Sequence, residues 1–107
     1  LALAHVAQGA VGLIGVTTHA AGWQYRALIE AALEGRRDEA VALNHQLVPI
    51  CNAVMNTSQG AIMAKAALVE LGVIEHATVR LPLVESTPEH LDKLRGALAT
   101  LPTVLGR

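Results

Sequence analysis

The sequence has 107 residues, of which 52% are hydrophobic and 16% charged, and its formal net charge at pH 7 is -1. This length fits one ordinary domain, and the apolar fraction excludes a disordered chain, which lacks the apolar surface needed to offset ordering entropy. The near-neutral charge and the scarcity of aromatic residues (only Trp23 and Tyr25) predict no nucleic-acid partner, because phosphate contacts need basic groups and base stacking needs aromatic rings.

The first 25 residues carry no charged side chain, since Arg26 is the first one. They are nevertheless interrupted by glycine and polar residues, whereas a membrane-spanning helix needs about 20 consecutive apolar residues. They also lack the basic start of a signal peptide. The single Cys51 can form neither an internal disulfide nor a cysteine-based zinc site. We therefore expect a cytoplasmic protein with no membrane partner.

The chain opens with residues that are typical of a helix end (1–8), and Gly9 is suited to the left-handed stop that follows. Residues 10–16 form a continuous, partly β-branched apolar run, which predicts a strand buried on both faces of a parallel sheet. Residues 17–22 are predicted to form a loop. One such strand needs neighbours for its hydrogen bonds, and this sequence contains none, so we expect the chain to be part of a larger protein.

From residue 23 onward the apolar spacing is helical. We predict a helix over 23–34 that Gly35 ends, and a second helix that Asp38 caps and that Pro49 kinks near His45–Gln46. The remaining predictions are a break at 56–60, a helix over 61–71 that Gly72 stops, an extended segment at 79–84, a last helix from the Thr87 cap through Pro88 to about Thr100, and a loose tail at 101–107.

The residues alone supply no complete catalytic set. No two of the five histidines have the i, i+3 or i, i+4 spacing that places metal ligands on one helix face, so we expect no metal site. His19, in the predicted loop, is interpreted as a polar rim residue. Cys51 falls on an apolar helix stripe, and the two lysines, Lys65 and Lys93, lie on helices, away from the strand ends where a Schiff-base lysine belongs.

Four motifs nevertheless occur in a recognisable order. They are Gly9-Ala-Val-Gly-Leu-Ile-Gly-Val16, Leu47-Val-Pro-Ile50, Ala64-Lys-Ala-Ala-Leu-Val-Glu-Leu-Gly72 and Val79-Arg-Leu-Pro-Leu-Val84. Together they resemble the C-terminal part of the dihydrodipicolinate synthase family, within the pyruvate-dependent class I aldolases. The resemblance implies an α/β fold: the end of a (β/α)8 barrel at 1–36, with the last strand at 10–16, and a C-terminal helical region at 37–107. The segment itself is then mostly α-helical.

The resemblance also implies a function. Members of this family condense pyruvate with aspartate semialdehyde through a Schiff base, in lysine and diaminopimelate biosynthesis, without a cofactor and as homotetramers. The Schiff-base lysine and the other catalytic side chains of the family match no residue of this chain, so no catalytic residue is predicted here. Ile14 matches the position whose main-chain carbonyl lines the pyruvate pocket, and it is the one predicted substrate-binding residue. Ser58-Gln-Gly-Ala61 departs from the Asn-Pro-x-Pro of many members.

Two alternatives stay open at this stage. The protein could be another pyruvate-dependent 2-keto-acid aldolase, similar to N-acetylneuraminate lyase, since related enzymes differ mostly in the aldehyde that they accept. It could also be a non-catalytic helical module that self-associates through its aliphatic faces.

Overall fold

The computed structural model describes residues 1–104, and the regular elements in that range are six α-helices. They are α1 (Ala2–Ala7), α2 (Thr18–Leu33), α3 (Arg37–Gln46), α4 (Val48–Met55), α5 (Gly60–Glu70) and α6 (Pro88–Ala99). No β-strand occurs among these residues, so the prediction of a mostly α-helical segment is confirmed.

Three glycines mark the helix ends that the sequence predicts. Gly9, Gly35 and Gly72 follow α1, α2 and α5, and their φ angles are 101°, 76° and 69°. A side chain strains the backbone in this left-handed region, and glycine does not. The ends of these three helices are therefore predictable from the positions of the glycines.

Pro49 divides the long predicted helix as expected. The helix breaks at Leu47, between the end of α3 at Gln46 and the start of α4 at Val48. Pro49 then lies in the first turn of α4, where the missing N–H has no intrahelical acceptor to lose.

The predicted N-terminal cap is present in α6 and differs in α3. The Thr87 hydroxyl accepts from the His90 N–H at 3.3 Å, and the Thr87 N–H donates to His90 Nδ1 at 3.4 Å, so the predicted cap of α6 is confirmed. The prediction that Asp38 caps α3 is wrong. Arg36 occupies that position, and Asp38 lies in the first turn, where its charge favours the positive end of the helix dipole.

The loop predicted at residues 17–22 is also wrong, because α2 already begins at Thr18. The Thr17 carbonyl accepts from the N–H groups of Ala20 and Ala21 at 3.0 and 3.1 Å, which forms one helical turn. Ala21 then departs from helical geometry, with φ -134° and ψ 34°, and kinks the helix just before Gly22. The polar, glycine-containing sequence therefore indicates a kink inside α2.

The core lies where α2, α4, α5 and α6 meet. The largest fully buried side chains come one or two from each of these helices: Leu28, Ile50, Val54, Met63 and Leu94. Alanines fill the space between them, which lets the helices approach closely, and α3 packs against α2 on the outer side.

The tail is ordered against this core as far as the structure describes it, so the prediction of a loose tail is wrong for residues 101–104. Leu101 and Val104 pack against the core, and Gln24 Nε2 donates to the Pro102 carbonyl at 3.0 Å. The buried Gln24 amide thereby finds an acceptor, as a buried polar group must. Residues 105–107, which belong to the same prediction, lie outside the described residues.

The predicted strand at residues 10–16 does not form within this chain. The segment is not helical, and the N–H groups of residues 11–16 donate to no backbone acceptor among residues 1–104. A strand is defined by its ladder, and residues 1–104 supply no ladder partner for this segment. The assignment of 1–36 to a barrel and of 37–107 to a helical region therefore stays a prediction.

Within the part of the chain that the structure describes, no helix has both the length and the apolar character that crossing a bilayer requires.

Two glycine-to-alanine substitutions should change stability in opposite directions. Neither added Cβ meets an atom within 4 Å, so backbone conformation alone decides the result. Gly72→Ala forces alanine into the left-handed region, and we expect a loss of about 1–2 kcal/mol in the free energy of unfolding. Gly96→Ala, inside α6, should add about 0.5–1 kcal/mol. Urea denaturation measures both, and a stabilising Gly72→Ala would contradict the cap.

Candidate functional site

The apolar segment at residues 10–16 lies beside α2 and faces solvent. Val11 and Ile14 are 84% and 103% exposed, and Leu13 and Val16 are each 38% exposed. Val11 and Leu13 line one side of a groove of about 380 Å³ whose other wall is α2, including Thr18, Tyr25 and Ile29. Such a run of exposed aliphatic side chains indicates a surface that another part of a protein covers.

Both faces of this segment are apolar. Val11 and Leu13 occupy odd positions, and Ile14 and Val16 occupy even ones, so an extended backbone would direct two of these side chains to each face. A strand that is apolar on both faces suits a parallel sheet with covering layers on each side. Ile14, the predicted substrate-binding residue, lies in the middle of this segment.

The end of the segment is fixed by a series of backbone acceptors. The Thr18 hydroxyl donates to the Gly15 carbonyl, and the His19 N–H donates to the Val16 carbonyl at 3.2 Å. The Val16 side chain lies against the start of α5, because a Cβ added to Gly60 would be only 3.4 Å from Val16 Cγ1. The junction from segment to helix is therefore well defined, while the Ile14 carbonyl accepts no hydrogen bond from residues 1–104.

Behind the junction, three polar side chains meet at the edge of the core. Thr17 is buried, Tyr25 and Cys51 are half-buried, and both Thr17 and Cys51 lie near the Tyr25 hydroxyl. Burial raises the pKa of Tyr25 to about 12, and the charge and hydrogen bond of the Cys51 thiolate add to this increase. A hydrogen bond from Thr17 acts in the opposite direction. The phenol of Tyr25 therefore stays protonated to higher pH than that of an exposed tyrosine.

Neither lysine lies at the groove. Lys65, on α5, donates to the Thr78 carbonyl at 2.5 Å and so ties the 73–86 segment to that helix. Lys93, on α6, pairs with Glu89 at 3.1 Å. Both side chains are exposed to water, whereas a Schiff-base lysine needs a desolvated position.

Histidine, cysteine and carboxylate side chains do not converge in the described range. No group of three or more of them is close enough to hold a metal ion there. His19 is exposed at the start of α2, and His90 acts in the α6 cap.

A family model for the dihydrodipicolinate synthetase family matches residues 1–101. The chain belongs to that family. The match runs through α1 to α6 and includes the unpaired segment at 10–16. The resemblance seen in the four sequence motifs is thereby confirmed.

Individual relatives carry a more specific name. The chain is 46% identical, over 94 residues, to 4-hydroxy-tetrahydrodipicolinate synthase of Acidothermus cellulolyticus; the match covers 88% of this chain and 30% of the relative. The synthase of Kineococcus radiotolerans is 38% identical over the same shares. That of Moorella thermoacetica is 38% identical over 92% of this chain and 33% of its own length. The chain thus spans about a third of the length of these relatives.

The family motif predicts Ile14 as a substrate-binding residue, which stays a prediction, whereas the polar cluster of Thr17, Tyr25 and Cys51 was not predicted from the sequence. The sequence predicts a loop at Thr17 and Thr18, although Thr17 is buried and the Thr18 hydroxyl donates to the Gly15 carbonyl. A threonine hydroxyl commonly donates to the carbonyl three residues before it. The spacing of Gly15 and Thr18 could therefore have indicated their hydrogen bond. The proximity of Tyr25 to Cys51 depends on how α2 packs near α4, which no local pattern contains.

The titration of Tyr25 is a direct check of this cluster. Its folded pKa of about 12 exceeds the unfolded value of about 10. Stability from this group is therefore complete below pH 10 and is lost as pH rises through 12. Tyrosinate absorbance of the full-length protein, minus that of a Tyr25→Phe variant, should show no titration of Tyr25 below about pH 11.

A Cys51→Ala variant should shift the same titration to lower pH, because the neighbouring thiolate contributes to the raised pKa. A difference titration with a midpoint near 10 in the wild-type protein would contradict the burial of Tyr25.

Proposed function

We propose that this chain forms the C-terminal part of a lyase that condenses pyruvate with aspartate semialdehyde, in lysine and diaminopimelate biosynthesis. The match of residues 1–101 to the dihydrodipicolinate synthetase family carries the proposal. The synthase names of the relatives support this reaction over other pyruvate-dependent aldolases.

In this proposal the segment at 10–16 is the last strand of a (β/α)8 barrel, and α2 is the helix that follows it. The exposed apolar side chains on both faces of the segment and its unused backbone N–H groups support this placement. Strands from the rest of the protein would supply the ladder, and residues 37–107 would form a helical region outside the barrel.

The chemistry begins with a lysine amine that lies outside this sequence. The amine attacks the ketone carbon of pyruvate, water leaves, and the resulting Schiff base loses a methyl proton to give an enamine. The enamine carbon then attacks the aldehyde carbon of aspartate semialdehyde. The contribution of this chain is the Ile14 main-chain carbonyl, which lines the pyruvate pocket at the C-terminal end of the strand.

A carbonyl without an internal partner is suited to that role. The neighbouring carbonyls of Gly15 and Val16 are used by the junction, and that of Ile14 is left as an acceptor. Because the contact is through the main chain, the identity of the Ile14 side chain affects packing more than chemistry.

The alternatives gain less support. No relative reported above is named as a sugar-acid lyase, and the exposed aliphatic surface that a self-association module would use coincides with the segment proposed as the barrel strand. A homotetramer in the cytoplasm, as the family resemblance and the single cysteine suggest, completes the proposal.

Reductive trapping tests the proposed reaction. Incubation of the full-length protein with pyruvate and borohydride should add one reduced pyruvate per chain, and peptide mapping should place it outside residues 1–107. A variant that carries both Lys65→Arg and Lys93→Arg is the control, because both lysines are exposed and engaged elsewhere. It should trap pyruvate as the wild type does; an adduct on either lysine, or none on any residue, contradicts the proposal.

A further inference from the structure

The junction at residues 14–18 has one contact that depends on the identity of a side chain. The Val16 carbonyl and the Thr17 carbonyl are held by backbone N–H groups, which any residue except proline supplies. The Gly15 carbonyl is held by the Thr18 hydroxyl. A conservative substitution of Thr18 can therefore remove the hydrogen bond to the Gly15 carbonyl, whereas no such substitution removes the backbone bond to the Val16 carbonyl.

Gly15 is the residue at which the backbone has most freedom. It has no Cβ, so its two flanking peptide groups can rotate over a wider range than those of any other residue type. One of these peptide groups contains the Ile14 carbonyl, and the other contains the Gly15 carbonyl that Thr18 holds. A hydrogen bond that holds the second group therefore narrows the range of directions open to the Ile14 carbonyl.

The side chain of Thr18 lies against Gly15 through its methyl group as well. A Cβ built on Gly15 would be 3.9 Å from Thr18 Cγ2 and 3.9 Å from the Leu13 side chain. These are ordinary contact distances, so hydroxyl and methyl group together cover one side of the glycine. The next residue, Val16, is in turn packed against the start of α5.

We infer that Thr18 is a positioning residue, whose hydroxyl fixes the peptide at Gly15 and thereby orients the Ile14 carbonyl toward pyruvate. This inference rests on the proposed function, because it gives Thr18 a role in the pyruvate site of a Schiff-base lyase. Thr18 acts through the backbone and does not touch the substrate.

The test compares two variants of the full-length protein. Thr18→Val keeps the shape and methyl contact and removes the hydroxyl, and Thr18→Ser keeps the hydroxyl. Thr18→Val should raise the KM for pyruvate about three- to ten-fold, the change that corresponds to one ordinary hydrogen bond. The kcat should change much less, because the orienting contact is already made in the bound ground state. Thr18→Ser should restore the wild-type KM. If Thr18→Val folds poorly, Thr18→Ala removes the same hydroxyl without adding bulk.

Thr100 provides a matched control, because its hydroxyl donates to the Ala97 carbonyl at 2.8 Å with the same three-residue spacing. Thr100→Val removes an equivalent bond at the end of α6 and should leave the KM for pyruvate unchanged.

Reductive trapping of the wild type separates the two claims. An adduct in the wild type, together with an unchanged KM in Thr18→Val, overturns the positioning role and leaves the lyase intact. A KM that Thr18→Ser fails to restore, or that Thr100→Val raises equally, overturns it too. A wild type that traps no pyruvate overturns the proposed function, and the role of Thr18 with it.

Discussion

Backbone hydrogen bonding constrains this structure more than any single side chain does. Residues 11–16 carry apolar side chains and N–H groups that have no acceptor among residues 1–104. Covering these side chains with another apolar surface would also bury the backbone, and a buried N–H without a partner costs about 1–3 kcal/mol. Both demands are met when neighbouring strands exchange hydrogen bonds with the segment and apolar layers cover its two faces.

The helices, by contrast, cover one another's apolar faces and pair their buried polar groups within the described residues. The side chains of α2, α4, α5 and α6 form a core of fully buried aliphatic residues, and no buried side-chain nitrogen or oxygen in the described range lacks a hydrogen-bond partner. Even the tail, through Pro102 and the amide of Gln24, contributes to this balance. Helix α2 belongs to both parts, because one side of it enters the core and another forms a wall of the exposed groove.

The sequence predicts those features that depend on a few adjacent residues. Gly9, Gly35 and Gly72 end helices because of their own backbone freedom, Pro49 breaks a helix because it lacks an N–H, and Thr87 caps one with its own hydroxyl. The incorrect predictions concern positions at which neighbouring residues compete for the same role, or at which contacts between distant residues decide the structure. Arg36, two residues before Asp38, occupies the cap position of α3. Residues 18–22 belong to α2 although their composition is typical of a loop.

The residues of the candidate site likewise fall into those indicated by a local motif and those brought together by packing. Ile14 is predicted from a motif that extends over eight residues, whereas the cluster of Thr17, Tyr25 and Cys51 joins positions up to 34 apart in the chain. The tail segment 101–104 is too short for a periodic apolar pattern to indicate its docking, and its position depends on a buried glutamine in α2. Contacts of this kind follow from packing, which local periodicity does not contain.

Hydrogen–deuterium exchange of the full-length protein tests the central claim, that residues 10–16 are a strand completed by the rest of the molecule. Peptides from α5, whose core residues are buried, and from the exposed turn after Gly72 serve as internal references. We predict that the peptide covering residues 10–16 exchanges as slowly as α5, since ladder bonds protect its N–H groups. Exchange as fast as that of the exposed turn would show that the segment stays unpaired and would contradict the barrel.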